Sequence, residues 1–180
     1  MTKKVLIISS SLRSGSNSEI LAREVEKGAK DAGHDVEFLC LKDKNIQFCR
    51  GCLACQKTMK CVIKDDMADM IEKVKNADVL LFANPIYYYE LCGQLKTFLD
   101  RCNPLFCQQN RFEDVYLITT SADDDAHASD TAKAGLQGWI ACFEQSHLAG
   151  VLAGGGLTDA KAAAANSALL QKAYMLGKNI

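Results

Sequence analysis

Val5-Leu6-Ile7-Ile8-Ser9-Ser10-Ser11-Leu12-Arg13-Ser14-Gly15-Ser16-Asn17-Ser18 is the stretch that decides the fold. Four apolar residues run straight into serines. A short apolar run bounded by turn residues reads as a buried strand. Beyond it, Ile20, Leu21, Val25, Ala29 and Ala32 recur on one helical face. Ser16 and Glu19 have the spacing of a capping box, and Gly33 supplies a stop. The polar segment therefore joins the carboxyl end of a strand to the amino end of a helix. Unpaired N–H groups and the positive end of the helix dipole favour a phosphate there. Six hydroxyls, one amide and one guanidinium sit in residues 9–18. Together they suit a terminal phosphate monoester, with Arg13 as a charged fork. A serine-rich turn that only caps its helix is the plainer alternative.

The same alternation continues outward. Asp35 to Leu41 reads as a second strand, Ala77 to Ala83 as a third buried on both faces, Val115 to Thr120 as a fourth and His147 to Ala153 as a fifth. Helical spacing appears from about Asp65, over Leu91 to Arg101, over Ala126 to Phe143 and over the alanine-rich Ala160 to Lys178. Strands alternating with helices predict an α/β fold, a three-layer doubly wound sandwich. A five-stranded parallel sheet in the flavodoxin-like order 2-1-3-4-5 suits the length best. Residues 1–180 read as a single domain with a cysteine-rich loop at about 42–64.

Composition narrows the function classes. Of 180 residues, 48% are hydrophobic and 24% charged, with a formal net charge of −1. That balance argues against nucleic-acid binding through bulk positive charge and leaves no polybasic membrane patch. The apolar run after Met1-Thr2-Lys3-Lys4 is too short for a signal peptide. The expectation is a soluble cytoplasmic protein. The first loop also lacks the glycine patterns of dinucleotide and triphosphate sites. It holds no cysteine nucleophile, and no acidic pair follows the first strand.

In a doubly wound sheet, ligands bind beyond the carboxyl ends of the strands. Those ends here carry Ser9-Ser10-Ser11, Asn84-Pro85 and Thr119-Thr120-Ser121. After Asn84 comes Pro85-Ile86-Tyr87-Tyr88-Tyr89-Glu90. Three successive tyrosines cannot all enter one core, so at least one ring is free for a flat aromatic ligand or a subunit interface. The third loop, through Ala122 to Asp123-Asp124-Asp125, offers hydroxyls and amides; its aspartates read as a solvated turn. His34, His127 and His147 are isolated and read as surface or capping residues.

Ser11-Leu12-Arg13-Ser14-Gly15-Ser16-Asn17-Ser18, then Pro85-Ile86-Tyr87-Tyr88-Tyr89, and Gly93-Gln94-Leu95-Lys96 leading to Asp100-Arg101, resemble the NAD(P)H-dependent FMN reductase family over nearly the whole chain. The resemblance implies that Ser11, Arg13, Ser16, Asn17 and Ser18 hold the FMN phosphate. It implies that Pro85, Ile86, Tyr87 and Tyr88 flank the isoalloxazine ring and that Thr120, Ser121 and Ala122 approach its other side. Ser9 and Asn84, at the strand tips, complete the candidate set. The third loop departs from the family's glycine-containing versions.

Nine cysteines are present, four of them as Cys49-x2-Cys52-x2-Cys55-x5-Cys61. Such spacing lets one loop wrap an iron–sulfur cube. Zinc, a thiol–disulfide switch and plain reduced thiols are the alternatives. The other five read as small buried hydrophobes. The spacing resembles the iron–sulfur flavoprotein branch of the same family, where a [4Fe–4S] cluster exchanges electrons with FMN. The expected function is an FMN-dependent oxidoreductase passing electrons from NAD(P)H to a quinone, flavin or metal ion. The flavin carries the chemistry, so no catalytic side chain is expected. The alternatives are an iron–sulfur flavoprotein working with ferredoxin-like partners, and a non-catalytic redox sensor. A homodimer or homotetramer is expected.

Overall fold

The computed structural model describes residues 1–180. Its elements are β1 (Lys4–Ser9), α1 (Asn17–Asp31), β2 (Asp35–Cys40), α2 (Ala54–Thr58), α3 (Met67–Asn76), β3 (Val79–Tyr87), β4 (Glu90–Leu91), α4 (Gly93–Arg101), β5 (Asp114–Thr120), α5 (Asp130–Ile140), β6 (His147–Gly154) and α6 (Ser167–Lys178). Single 3₁₀ turns cover Asn103–Cys107 and Ala162–Ala165. The sheet order is β2-β1-β3-β5-β6, all parallel, with β4 an antiparallel stub on β3. Numbered without the stub, this is the expected 2-1-3-4-5. No helix is long and apolar enough to cross a membrane.

Alternate strand residues serve opposite layers. Leu6, Ile8, Leu80, Phe82, Val115 and Leu117 pack toward α3, α4 and α5. Val5, Ile7, Val79, Leu81, Ala83 and Ile118 pack toward α1 and α6. Burial on both faces is why β1 and β3 read as unbroken apolar runs. Helices α1 and α6 are held very close. A Cβ on Gly28 would lie 2.1 Å from the Tyr174 carbonyl, and one on Gly177 would lie 2.1 Å from the Val25 carbonyl.

From β1 the chain moves one way to β2 and the other way to β3. That reversal opens a crevice at their carboxyl ends. The register brings the strand tips together: Ser9 stands beside Ala83, Asn84 beside Thr119 and Pro85 beside Thr120.

Five expectations need correction. The third strand does not stop at Ala83 but runs to Tyr87 and turns back into β4. The segment 42–64 is not wholly irregular, since Ala54–Thr58 form a helical turn between two left-handed residues, Leu53 and Met59. The last helix does not begin at Ala160. Lys161 is left-handed and Asn166 caps α6 by accepting the Leu169 N–H. Cys107 and Cys142 are exposed, whereas Cys92 and Cys102 are buried as expected. The fourth helix also starts later, at Asp130.

Candidate functional site

The first loop is built by the end of β1 and the start of α1. Ser16 caps the helix by accepting the Glu19 N–H at 3.4 Å. The return half of the capping box is not made, because Glu19 faces Arg23. Asn17 and Ser18, the first two residues of α1, take no acceptor for their N–H groups within the protein. The Ser16 and Ser18 hydroxyls are 3.0 Å apart, and both residues are buried with Ser11. Just below, Ser9 is fully buried and its hydroxyl has no partner. Buried polar groups rarely stay unpaired, so this end of β1 is unusually rich in unspent hydrogen-bonding capacity.

Several loop side chains are engaged elsewhere. Asn17 donates its amide to the Leu157 and Asp159 carbonyls at 3.1 and 2.9 Å and accepts the Ala163 N–H at 3.0 Å. Its side chain fastens the 157–163 segment across the loop. Arg13 donates to the Thr158 carbonyl at 3.0 Å yet remains exposed. Lys42 donates to the Ser14 hydroxyl at 2.8 Å.

The second loop is a tight hairpin. Tyr88 and Tyr89 occupy its two central positions at φ 51° and 65°. Two-residue hairpins of type I′ need positive φ at both positions, which Asn-Gly normally supplies. Bulky residues there cost on the order of 1–3 kcal/mol each, and such strain clusters at functional sites. All three tyrosines are exposed, Tyr88 completely. Tyr89 donates its hydroxyl to Asp123 at 2.9 Å, clipping the hairpin to the third loop. That bond holds the Asp123 carboxyl below its ordinary value, after the larger contribution of the Asp125 N–H. Asn84 is buried; it accepts the Cys92 N–H at 3.0 Å and donates to the Pro85 carbonyl at 2.8 Å. It sets the hairpin's base.

Ser11, Arg13, Ser16 and Asn17 line one cleft of about 210 Å³ together with Pro85, Ile86, Tyr87, Thr120 and Ala122. Leu157 and Thr158 close it. Thr120 and Ser121 are buried, and Ser121 donates to the Asp123 carbonyl at 2.7 Å. Of the predicted residues, Ser9, Ser18, Asn84 and Ser121 support this cleft without lining it, and Tyr88 points away into solvent.

A second site gathers the cysteines. Cys49, Cys52, Cys55 and Cys61 border one cavity with Arg101 and Asn103. Asn103 donates to Cys55 at 3.0 Å, and Arg101 faces Cys61 at 3.5 Å. Arg101 is fastened by Asp65, whose carboxylate it meets at 2.6 and 2.9 Å. Both side chains are sealed, 1% and 0% exposed. Burial alone pushes the Asp65 carboxyl up; the guanidinium and the Gln47 and Met67 N–H groups outweigh it and hold it below its ordinary value. No three His, Cys, Asp or Glu side chains are arranged to hold a single metal ion. The cavity that the four sulfurs edge is small, about 20 Å³, and its donor set, four thiolates from one loop, is the kind that holds an iron–sulfur cluster.

The model of the NADPH-dependent FMN reductase family matches residues 3–156. The chain belongs to that family. This FMN reductase family member is 37% identical over 102 residues to an iron–sulfur flavoprotein of Methanocaldococcus jannaschii, a match spanning 57% of this chain and 53% of that protein. It is 34% identical over 98 residues to the iron–sulfur flavoprotein of Methanosarcina thermophila, spanning 54% and 51%. The family member thus spans about half the length of these curated relatives. Its fold matches an NAD(P)H:quinone oxidoreductase from Methanothermobacter marburgensis with a TM-score of 0.75 at 16% identity, over 99% of this chain and 97% of that one. An azoreductase from Bacillus anthracis matches with a TM-score of 0.72 at 15% identity over the whole of both chains.

Sequence reading missed several residues of the family member's two sites. Leu157 and Thr158 lie far from every motif, and only the glycines at 154–156 hinted at a turn there. Lys161, left-handed at φ 65°, gives its N–H to the Gly15 carbonyl and lays its side chain over that residue. Asp65 and Asn103 carried no signal, being ordinary polar residues at helix ends.

Proposed function

We propose that residues 1–180 form one FMN-binding domain that takes electrons from NAD(P)H and passes them to an acceptor such as a quinone, a flavin or a metal ion. The observation that carries this reading is the convergence of the serine loop, Pro85 to Tyr87, and Thr120 with Ala122 on one cleft at the sheet's carboxyl edge. The unspent donors fit a phosphate: the Asn17 and Ser18 N–H groups at the start of α1, the Ser11 hydroxyl, and one hydroxyl of the Ser16–Ser18 pair. Arg13 adds a charged donor at the rim. Ser9, with its unpaired hydroxyl, supports the loop from below. Asn17 acts through its backbone, since its side chain is committed to residues 157–163.

Pro85, Ile86 and Tyr87 offer a rigid flank for a flat ring, with Thr120 to Ala122 opposite. Bound FMN supplies the hydride chemistry. The chain's own task is orientation and exclusion of water, for which the Tyr89–Asp123 clip and the 157–163 segment close two sides of the cleft. Tyr88, fully exposed beside the cleft, suits contact between copies in a homodimer or homotetramer. The test is FMN binding followed by steady-state oxidation of NADH and NADPH with quinone or free FMN as acceptor. Flavin binding with turnover is expected. No flavin binding after reconstitution refutes the reading.

A second reading is favoured by one observation: the four cysteines border one cavity and two of their sulfurs already meet protein donors. On that reading the cysteines ligate a [4Fe–4S] cluster that exchanges electrons with FMN, as the name iron–sulfur flavoprotein describes for the relatives. A ferredoxin-like protein is then the partner. Protein purified without oxygen, assayed for iron and acid-labile sulfide, is expected to carry about four irons per chain. Flavin without iron leaves the plain NAD(P)H oxidoreductase.

A further inference from the structure

The guanidinium of Arg101 has five N–H groups, and four are accounted for. Nη1 serves the Gln47 carbonyl and one Asp65 oxygen, both at 2.6 Å. Nη2 serves the other Asp65 oxygen at 2.9 Å and Cys61 Sγ at 3.5 Å. Asp65 therefore occupies the end of the planar fork. The remaining Nη2 hydrogen and Nε–H share the other edge, the one turned to Cys61. That Nε–H is buried and has no partner. A buried donor seldom goes unsatisfied. A carboxylate at one end and sulfur at the other make Arg101 a rigid relay from α4 to the cysteine cavity. Asn103, two residues on, presents its amide to Cys55 at 3.0 Å.

We propose that Arg101, clamped by Asp65, and Asn103 are positioning residues that donate to the sulfurs of a cysteine-bound iron–sulfur cluster and raise its reduction potential. The assignment rests on the reading that the four cysteines hold such a cluster. The physical basis is simple. A reduced cluster carries more negative charge on its sulfurs, so N–H groups aimed at sulfur stabilise the reduced form more than the oxidised form. Because Asp65 neutralises the charge of Arg101, the local N–H dipoles act more than the net charge does. The edge holding Nε–H adds a second donor once an acceptor sulfur lies in the cavity. None of these residues is a ligand, so their effect on potential is separable from their effect on loading.

The test is a dye-mediated optical titration of the cluster in anaerobically reconstituted protein, with FMN content and melting temperature as checks on folding. Variants are Asn103→Ala, Asn103→Asp and Arg101→Lys. Asn103→Ala is expected to shift the potential negative, and Asn103→Asp farther, because a carboxylate repels the sulfur. Arg101→Lys keeps the charge, loses the two-donor edge and also shifts it negative. If Arg101→Lys does not fold, the Asn103 pair decides alone. A folded, FMN-binding Asn103→Ala protein that loads no iron overturns the assignment, since a residue that only tunes the potential is not needed for loading. Loaded variants with unchanged potentials overturn the assignment while leaving the cluster reading intact. Parent protein that takes up neither iron nor sulfide overturns both.

Discussion

Replacing Asp65 with Asn is the most informative single perturbation of this fold. The carboxylate accepts from Arg101 twice, from the Gln47 N–H at 2.9 Å and from the Met67 N–H at 3.1 Å. It therefore ties α4, the start of α3 and the cysteine segment to one point. Asparagine keeps one acceptor oxygen but turns an NH₂ toward donors. It also leaves the guanidinium without its counter-ion, at 1% exposure. Breaking a buried pair in this way costs about 3–5 kcal/mol. Against a total of roughly 5–15 kcal/mol, that is a large fraction. At about 2–4 °C per kcal/mol for a chain of this size, melting falls by roughly 6–20 °C.

Urea denaturation monitored by circular dichroism measures the loss. The double variant Asp65→Leu with Arg101→Met should be less destabilised than the sum of the singles, because no lone charge stays buried. The pH sign follows from the folded carboxyl lying below its ordinary value. The stabilisation is complete above the ordinary carboxylate range and is lost as pH falls through the lower, folded value. The Asn variant should show less of this acid dependence. An Asp65→Asn protein within about 1 kcal/mol of the parent would refute the claim that this pair fastens the cysteine segment.

Three further outcomes are expected. Arg13→Ala should weaken FMN about tenfold or more, the loss of a charge-assisted hydrogen bond, and leave riboflavin binding nearly unchanged in fluorescence titrations; equal losses for both would place Arg13 away from the phosphate. Tyr89→Phe removes the 2.9 Å bond to Asp123 and should speed FMN release in stopped-flow exchange, with an unchanged rate showing that the hairpin clip is idle. Gly177→Ala drives a methyl to 2.1 Å from the Val25 carbonyl, so thermal melting should report a loss of about 1–3 kcal/mol as α6 is forced off α1.

What the sequence determined by itself was local. Buried strands announce themselves because burial on both faces demands apolar runs such as Val5 to Ile8 and Val79 to Ala83. Ser16 and Gly33 mark the ends of α1 because caps are chemistry between near neighbours. Alternation of such elements gave the doubly wound sheet, and the chain's length picked one order from the few that crossover handedness leaves. The serine loop was legible for the same reason, as its donors come from one strand end and one helix start.

Tertiary structure alone decided the partners. Asn17 reads as a loop residue facing a ligand, yet its side chain bonds Ala163, 146 residues away. Arg101 reads as the end of an amphipathic helix, yet it is sealed against Asp65, 36 residues back, and faces Cys61. Tyr88 and Tyr89 have no propensity for a two-residue turn; β3 and β4 impose it by pairing Tyr87 with Glu90. Periodicity records which face of an element is buried, but not which distant residue it meets there. That meeting is set by the sheet register and the packing of helices across it, which bring together side chains whose neighbours in sequence carry no trace of one another.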